Sequence, residues 1–240
     1  MAITDPIDIA NLAHWYDASD TASITHTGGN VTAIAAQVGT NMASVSGTPV
    51  TGTRTLNGLN VIDFGGSARL KATTPAGSAG TICTAFGIGK VDASTGSNQF
   101  LFSAQGTDSS GVVYVNGGNW SVNSANIINS SDPVDTDAHY FIYVCNGTSS
   151  RLWIDGVENV LTGDPGSNGY SADGVWGANA YDGAFLDGFI GESGVYSRVL
   201  NSTELSDLNA YMALKWFGIG GGGNVNLLGG KIAGLFRGKL

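Results

Sequence analysis

Short apolar runs, alternating with polar residues and broken by Gly, Asn, Asp and Ser, pattern the chain as far as residue 198. Residues 11–17 (NLAHWYD), 59–64 (LNVIDF), 68–72 (ARLKA), 98–105 (NQFLFSAQ), 111–116 (GVVYVN), 138–147 (AHYFIYVCNG) and 174–179 (GVWGAN) read as strands. So do residues 80–91 (GTICTAFGIGKV), where Ile82, Phe86 and Ile88 share one face at period two, and 184–198 (AFLDGFIGESGVYSR). SRLWIDG (150–156) ends in Asp155-Gly156, a hairpin signal, and VENVL follows at once. About ten such strands joined by tight turns predict an all-β fold, an antiparallel two-sheet jelly roll.

The period changes once. In LNSTELSDLNAYMALKW (200–216), Asn201 is an N-cap and Glu204 its capping-box partner, with Leu200 and Leu205 placed as a hydrophobic staple. Leu205, Leu208, Met212 and Trp216 make one apolar face and Gly218 supplies the stop. This helix closes a domain spanning residues 1–218. Residues 219–240 form a Gly-rich linker and a basic, apolar tail.

Composition agrees with the pattern: 37 glycines and 12% charged residues in a 240-residue chain suit many turns rather than a helical bundle. The net charge of −9 is unevenly placed. The body holds seven basic against nineteen acidic residues, a balance of −12, whereas the tail carries Lys231, Arg237 and Lys239 and no acid. Such a body repels nucleic acid, and no basic stripe interleaves with aromatics. The first residues, MAITDPIDIANLAHWYD, lack the charged and apolar regions of a secretory signal. No run reaches the roughly 20 apolar residues of a membrane span. Cys83 and Cys145 lie in apolar runs without CxxC spacing, and two buried thiols are expected before one disulfide.

The order of four blocks resembles the LamG-like members of the concanavalin A-like lectin/glucanase superfamily. LAHWYDASD and NGLNVIDFGGSARL come first. Next, His139-Tyr140 and Arg151-Leu152-Trp153-Ile154-Asp155-Gly156 fill the places of an aromatic-His segment and an R-L-x-x-D-G hairpin. The closing signature is carried by Phe185, Gly188, Ile190, Glu192, Tyr196, Arg198, Leu200 and Glu204, with one extra residue between Phe185 and Gly188. The resemblance covers roughly residues 10–217 and implies a jelly roll of about 12 to 14 strands, a fold that hosts lectins, adhesion modules, glycosidases and structural domains alike.

Glucanases of this superfamily carry glutamates around an aspartate, two residues apart on one strand. Of the three glutamates here, Glu204 caps the helix, Glu158 sits in a hairpin and Glu192 has Ile190 and Gly194 two positions away, so no paired acid is expected. No GxSxG elbow exists, and His14, His26 and His139 are isolated, which excludes a zinc cluster. Many LamG-type domains hold calcium through rim aspartates. Asp132, Asp135 and Asp137, or Asp17 and Asp20, could coordinate a hard cation and equally could cap turns. No other cofactor is expected. The GxGxxG at Gly218, Gly220 and Gly223 has no strand before it or helix after it, and reads as a linker. Sugar recognition needs aromatic platforms beside amides. Asn116, Asn119, Trp120 and Asn123 offer one such group, and Tyr170, Trp176, Asn179, Tyr181 and Asp182 another, although Trp176 suits the core. Asn-x-Ser/Thr sequons at Asn30, Asn119, Asn129, Asn146 and Asn201 carry no weight without a secretory signal.

These readings converge on a non-enzymatic structural or adhesion subunit, most consistent with a phage virion surface protein such as a head decoration or tail fibre component. The tail would anchor it to other protein subunits through Val225, Leu227, Leu228, Lys231, Ile232, Leu235, Phe236, Arg237, Lys239 and Leu240. An anionic membrane surface is the lesser alternative for that tail. The alternative function is a carbohydrate-binding lectin module acting on surface glycans, placed outside cells; a glycoside hydrolase is the weaker alternative.

Overall fold

A computed structural model describes residues 3–72, 82–93, 98–105, 110–166, 173–179 and 183–219. Seventeen strands and one α-helix fall within them. The strands build two curved antiparallel sheets. In the first, β15 (Val157–Asn159), β14 (Arg151–Ile154), β13 (Ala138–Cys145), β8 (Cys83–Val91) and β17 (Gly188–Tyr196) lie side by side. The far edge of β17 is shared by β1 (Leu12–Asp17) and β6 (Leu59–Asp63). The second sheet runs β2 (Ile24–Thr27), β3 (Asn30–Ile34), β4 (Met42–Ser46), β7 (Arg69–Ala72), β16 (Asp173–Trp176), β9 (Gln99–Gln105), β10 (Ser110–Asn116), β11 (Asn119–Ser124), β12 (Ile127–Pro133). Strand β5 (Val50–Leu56) pairs with β6 and touches β3, joining the two layers. The all-β antiparallel architecture with one C-terminal helix is the predicted one.

The sequence pattern explains the layers. In β8, Cys83, Ala85 and Val91 face the interior between the sheets, while Phe86 and Ile88 face outward; every position but Lys90 is buried. Gly87 and Gly89 keep that strand slim, because a Cβ at Gly87 would lie 2.7 Å from Phe141 Cζ. The interior is filled from both sheets by Ile34, Met42, Leu70, Phe102, Val122, Phe141 and Trp176, with Tyr16 meeting Trp176 edge-on at 6.0 Å. Trp176 Nε1 donates to Ser193 Oγ at 2.7 Å, a hydrogen bond from one sheet to the other. Cys83 and Cys145 stand opposite one another on β8 and β13 as buried free thiols.

Helix α1 (Ser202–Phe217) covers the outer face of the first sheet. Asn201 Oδ1 accepts from the amides of Thr203 and Glu204, Glu204 returns the capping box, and Gly218 ends the helix in the left-handed region, all as the sequence predicts. Leu208, Tyr211, Met212 and Trp216 pack on Phe86, Ile88, Tyr140, Ile142 and Tyr196. Strands β2, β4, β5 and β12 are not marked by apolar alternation: ITHT, MASVS and IINSSDP are rich in Thr or Ser, and pairing with neighbours makes them strands. Ile82, predicted to share a face with Phe86 and Ile88, precedes β8 and is exposed. The described residues contain no helix long and apolar enough to cross a membrane.

Candidate functional site

Three polar centres depart from the apolar framework. The first lies under the helix. A β-bulge in β17 between Ile190 and Glu192 turns Gly191 and Glu192 to the same side, toward α1. There Glu192, wholly buried, accepts from Trp15 Nε1 (2.7 Å), Trp216 Nε1 (2.7 Å), Tyr211 Oη (2.8 Å) and Lys215 Nζ (3.0 Å). Lys215 also donates to Asp17 at 2.7 Å. Burial pushes the Glu192 carboxyl up, and the Lys215 ammonium works against that shift. Four donors meet this carboxylate, three from the helix and Trp15 from β1, so it ties the helix to the sheet as a structural acceptor.

The second centre is a row across the outer face of the second sheet. Cross-strand register sets Phe100 on β9 opposite Tyr114 on β10, Tyr114 opposite Ser121 on β11, and Ser121 opposite Asn129 on β12. Residue Leu101 has no partner on β10 in that register; this irregularity lets Phe100 face outward while Phe102 joins the core. Phe100 and Tyr114 stack at 4.5 Å between centroids with 10° between planes. Asn129 Oδ1 accepts from Ser121 Oγ (2.7 Å) and Asn116 Nδ2 (3.2 Å), which gathers three polar side chains beside the stack. The Tyr114 hydroxyl is buried with no hydrogen-bond partner among the described residues, and desolvation pushes its pKa up to about 12. A phenol in that condition costs about 1–3 kcal/mol until something satisfies it.

The third centre is His139. Nδ1 lies 2.6 Å from Asp155 Oδ2 and Nε2 lies 2.8 Å from Asp135 Oδ1, so the ring bridges the β14–β15 turn and the loop before β13. Trp120 meets the ring edge-on at 5.5 Å. Burial opposes the imidazolium, but Asp155 and then Asp135 outweigh it and push His139 up to about 9.

Of the two sugar-binding regions expected from sequence, Asn116 and Asn119 border the second centre, whereas Trp176 of the other lies in the core. Ala184 packs on Phe100 and Tyr114, and Phe100 N donates to Ala184 O at 3.3 Å. Asn116 and Asn119 flank the Gly117-Gly118 turn beside the row, while Asn179 Oδ1 accepts from Gly183 N at 2.8 Å. Trp120 faces the interior, 2% exposed, and its ring is closed to a ligand at the surface; Phe100, Tyr114 and Ser121 are likewise buried, so the row reaches the surface through Asn129, Asn116 and Asn119. Tyr170, Tyr181 and Asp182 lie outside the described residues, as do all ten tail positions from Val225 to Leu240. Of the three calcium candidates, Asp135 is engaged by His139 and by the amide of Asp137. Among the described residues no group of three His, Cys, Asp or Glu side chains is arranged to hold a metal ion. Phe100, Tyr114, Ser121 and Asn129 were missed by sequence reasoning. The period-two pattern of GVVYVN puts Tyr114 and Asn116 on one face, but only strand pairing reveals the row.

The arrangement defines an all-β sandwich with a polar-aromatic row on one sheet. Such a sandwich occurs in domain 4 of AbnA, a GH43 extracellular arabinanase from Geobacillus stearothermophilus, solved with arabinotriose (13% identity, 83% of this chain and 98% of that one, TM-score 0.52). It occurs in Trypanosoma rangeli sialidase with sialic acid (10% identity, 87% of this chain and 35% of that one, TM-score 0.55). A third is the binding domain of botulinum neurotoxin DC in complex with SialylT (9% identity, 83% and 51% covered, TM-score 0.56). The chain thus spans nearly all of the arabinanase domain, about a third of the sialidase and half of the toxin domain. No family model matches the chain, and no curated protein matches it in sequence. The expectation of a protein without enzymatic activity is corrected by these neighbours, because a sialidase and a domain of an arabinanase are among them. At these identities the likeness is one of fold.

Proposed function

We propose that the chain is a carbohydrate-binding module whose ligand seat is the surface amides Asn116, Asn119 and Asn129, set over the buried Phe100–Tyr114 stack and Ser121. The observation that carries this reading is the convergence on one sheet face of an aromatic stack, three hydrogen-bonded polar side chains and a buried phenol without a partner among the described residues. Neighbours solved with arabinotriose, sialic acid and SialylT support it, as does the resemblance to LamG-like lectins. The test is a glycan array followed by titration calorimetry on wild type and on Asn129→Ala. A saccharide ligand whose affinity falls about tenfold in the variant, near 1.4 kcal/mol, is the expected result. Binding that ignores the substitution removes the seat from this row. The same panel, monitored for released reducing sugar, measures hydrolysis directly.

A second reading rests on a different observation, the composition of residues 219–240: glycines, then apolar residues with three cations, after an acidic body. In this reading the tail anchors the module to a protein partner in a larger assembly, on the surface of a phage virion in particular. Deleting residues 220–240 and measuring incorporation tests it; normal incorporation of the truncated chain defeats it.

A further inference from the structure

Resting on the saccharide seat proposed above, we infer that its ligand is an uncharged saccharide, and that sialylated or uronic-acid sugars are rejected. The inference comes from where the cations of the described body are spent. Arg54 is held by Asp63 and Asp92, and Lys90 by Asp92. Arg151 is paired with Glu158, Arg198 with Glu204, and Lys215 with Asp17 and Glu192. Arg69 and Lys71 both lie on β7, where Arg69 is buried. Between β7 and β10 lie β16 and β9, so β10 is three strand spacings away, about 14 Å. That is longer than the Debye length of about 8 Å at physiological ionic strength, so neither cation supports a carboxylate in the row.

What lies close to the row is neutral or acidic. Its own polar groups are amides and hydroxyls: Asn116, Asn119, Asn129, Ser121 and Tyr114. The chain that follows Asn129 carries Asp132 and Asp135, and beyond it Asp155, against one cationic group, His139, which already bridges Asp135 and Asp155. A sugar carboxylate entering there would lose water without gaining a charged partner, whereas hydroxyls pair well with amide and phenol groups. The overall charge of −9 adds a repulsive field for any anionic ligand.

The test is calorimetry at physiological ionic strength with the full chain, using arabinotriose, cellotriose and lactose as neutral probes and 3′-sialyllactose and trigalacturonic acid as anionic ones. The expected result is binding of at least one neutral probe, tenfold or more tighter than either anionic probe, lost in Asn129→Ala. A second variant, Asn129→Arg, places a cation in the row and is expected to raise 3′-sialyllactose affinity at least fivefold. Wild-type binding of 3′-sialyllactose or trigalacturonic acid as tight as any neutral probe, with loss in Asn129→Ala, keeps the seat and overturns the neutral class. No binding of any probe overturns the seat and the class together.

Discussion

Tyr114 is the residue on which the site turns. Its ring is fixed by Phe100, yet its hydroxyl is buried without a partner among the described residues. Tyr114→Phe therefore removes an unsatisfied group: thermal unfolding of the unliganded protein is expected to show stability unchanged or raised by about 1 kcal/mol. Calorimetry on the same variant is expected to leave saccharide affinity within about twofold of wild type, because the phenol lies beneath the surface amides. A fivefold loss would show that the ligand reaches the hydroxyl. Glu192 is the opposite case. Glu192→Ala leaves two indoles, a phenol and a lysine without their acceptor, and denaturant unfolding is expected to register a loss of about 3–5 kcal/mol. His139 gives a pH signature. Its pKa rises from 6.5 in the unfolded chain to about 9 in the fold, so its contribution is complete below pH 6.5 and disappears as pH climbs through 9. Melting curves from pH 6 to 10 should show wild type falling toward His139→Gln across that window.

Among the elements, the β14–β15 hairpin and helix α1 are locked together at one position. Gly156 has φ +79°, and a Cβ there would lie 2.8 Å from Asn209 Nδ2 on the helix and 3.0 Å from the Tyr140 hydroxyl. Gly156→Ala is expected to cost about 2 kcal/mol or more in chemical denaturation, combining left-handed strain with contact to the helix. The Asp155-Gly156 turn was legible in the sequence from its dipeptide, and α1 from its cap and apolar stripe. Their mutual contact was not, because Asn209 and Gly156 are far apart along the chain. The bulge at Gly191–Glu192 was likewise hidden. Its glycine reads as a loop signal, whereas in the fold it leaves room for the Trp216 ring and aims Glu192 at the helix.

At the scale of the molecule, two sheets and a helix make three layers, and the row lies on the face opposite the helix. The ion pairs concentrate away from the row: Arg54, Lys90, Arg151, Arg198 and Lys215 serve carboxylates on or beside the first sheet. This distribution gives the whole-molecule prediction that salt will leave saccharide affinity unchanged, since no ion pair forms on binding. Calorimetry between 0.05 and 0.5 M NaCl, about 14 to 4 Å in screening length, checks it. A tenfold loss of affinity over that range would mean that a charged contact had been overlooked.

The sequence by itself determined the all-β class, the capped helix, the Asp-Gly turn and the structural role of Glu192's neighbourhood, because those features are written in local periodicity and turn chemistry. Asn116, Asn119 and Asn179 were legible as polar loop residues, and nothing local distinguished Trp120 as an interior residue from a surface platform. The tertiary structure alone decided the rest. Phe100, Tyr114, Ser121 and Asn129 come from four strands, and their row exists through cross-strand register, which depends on long-range pairing and on one irregularity in β9. Strands β2, β4 and β5 are Thr- and Ser-rich segments whose extended form comes from their neighbours rather than from their own pattern.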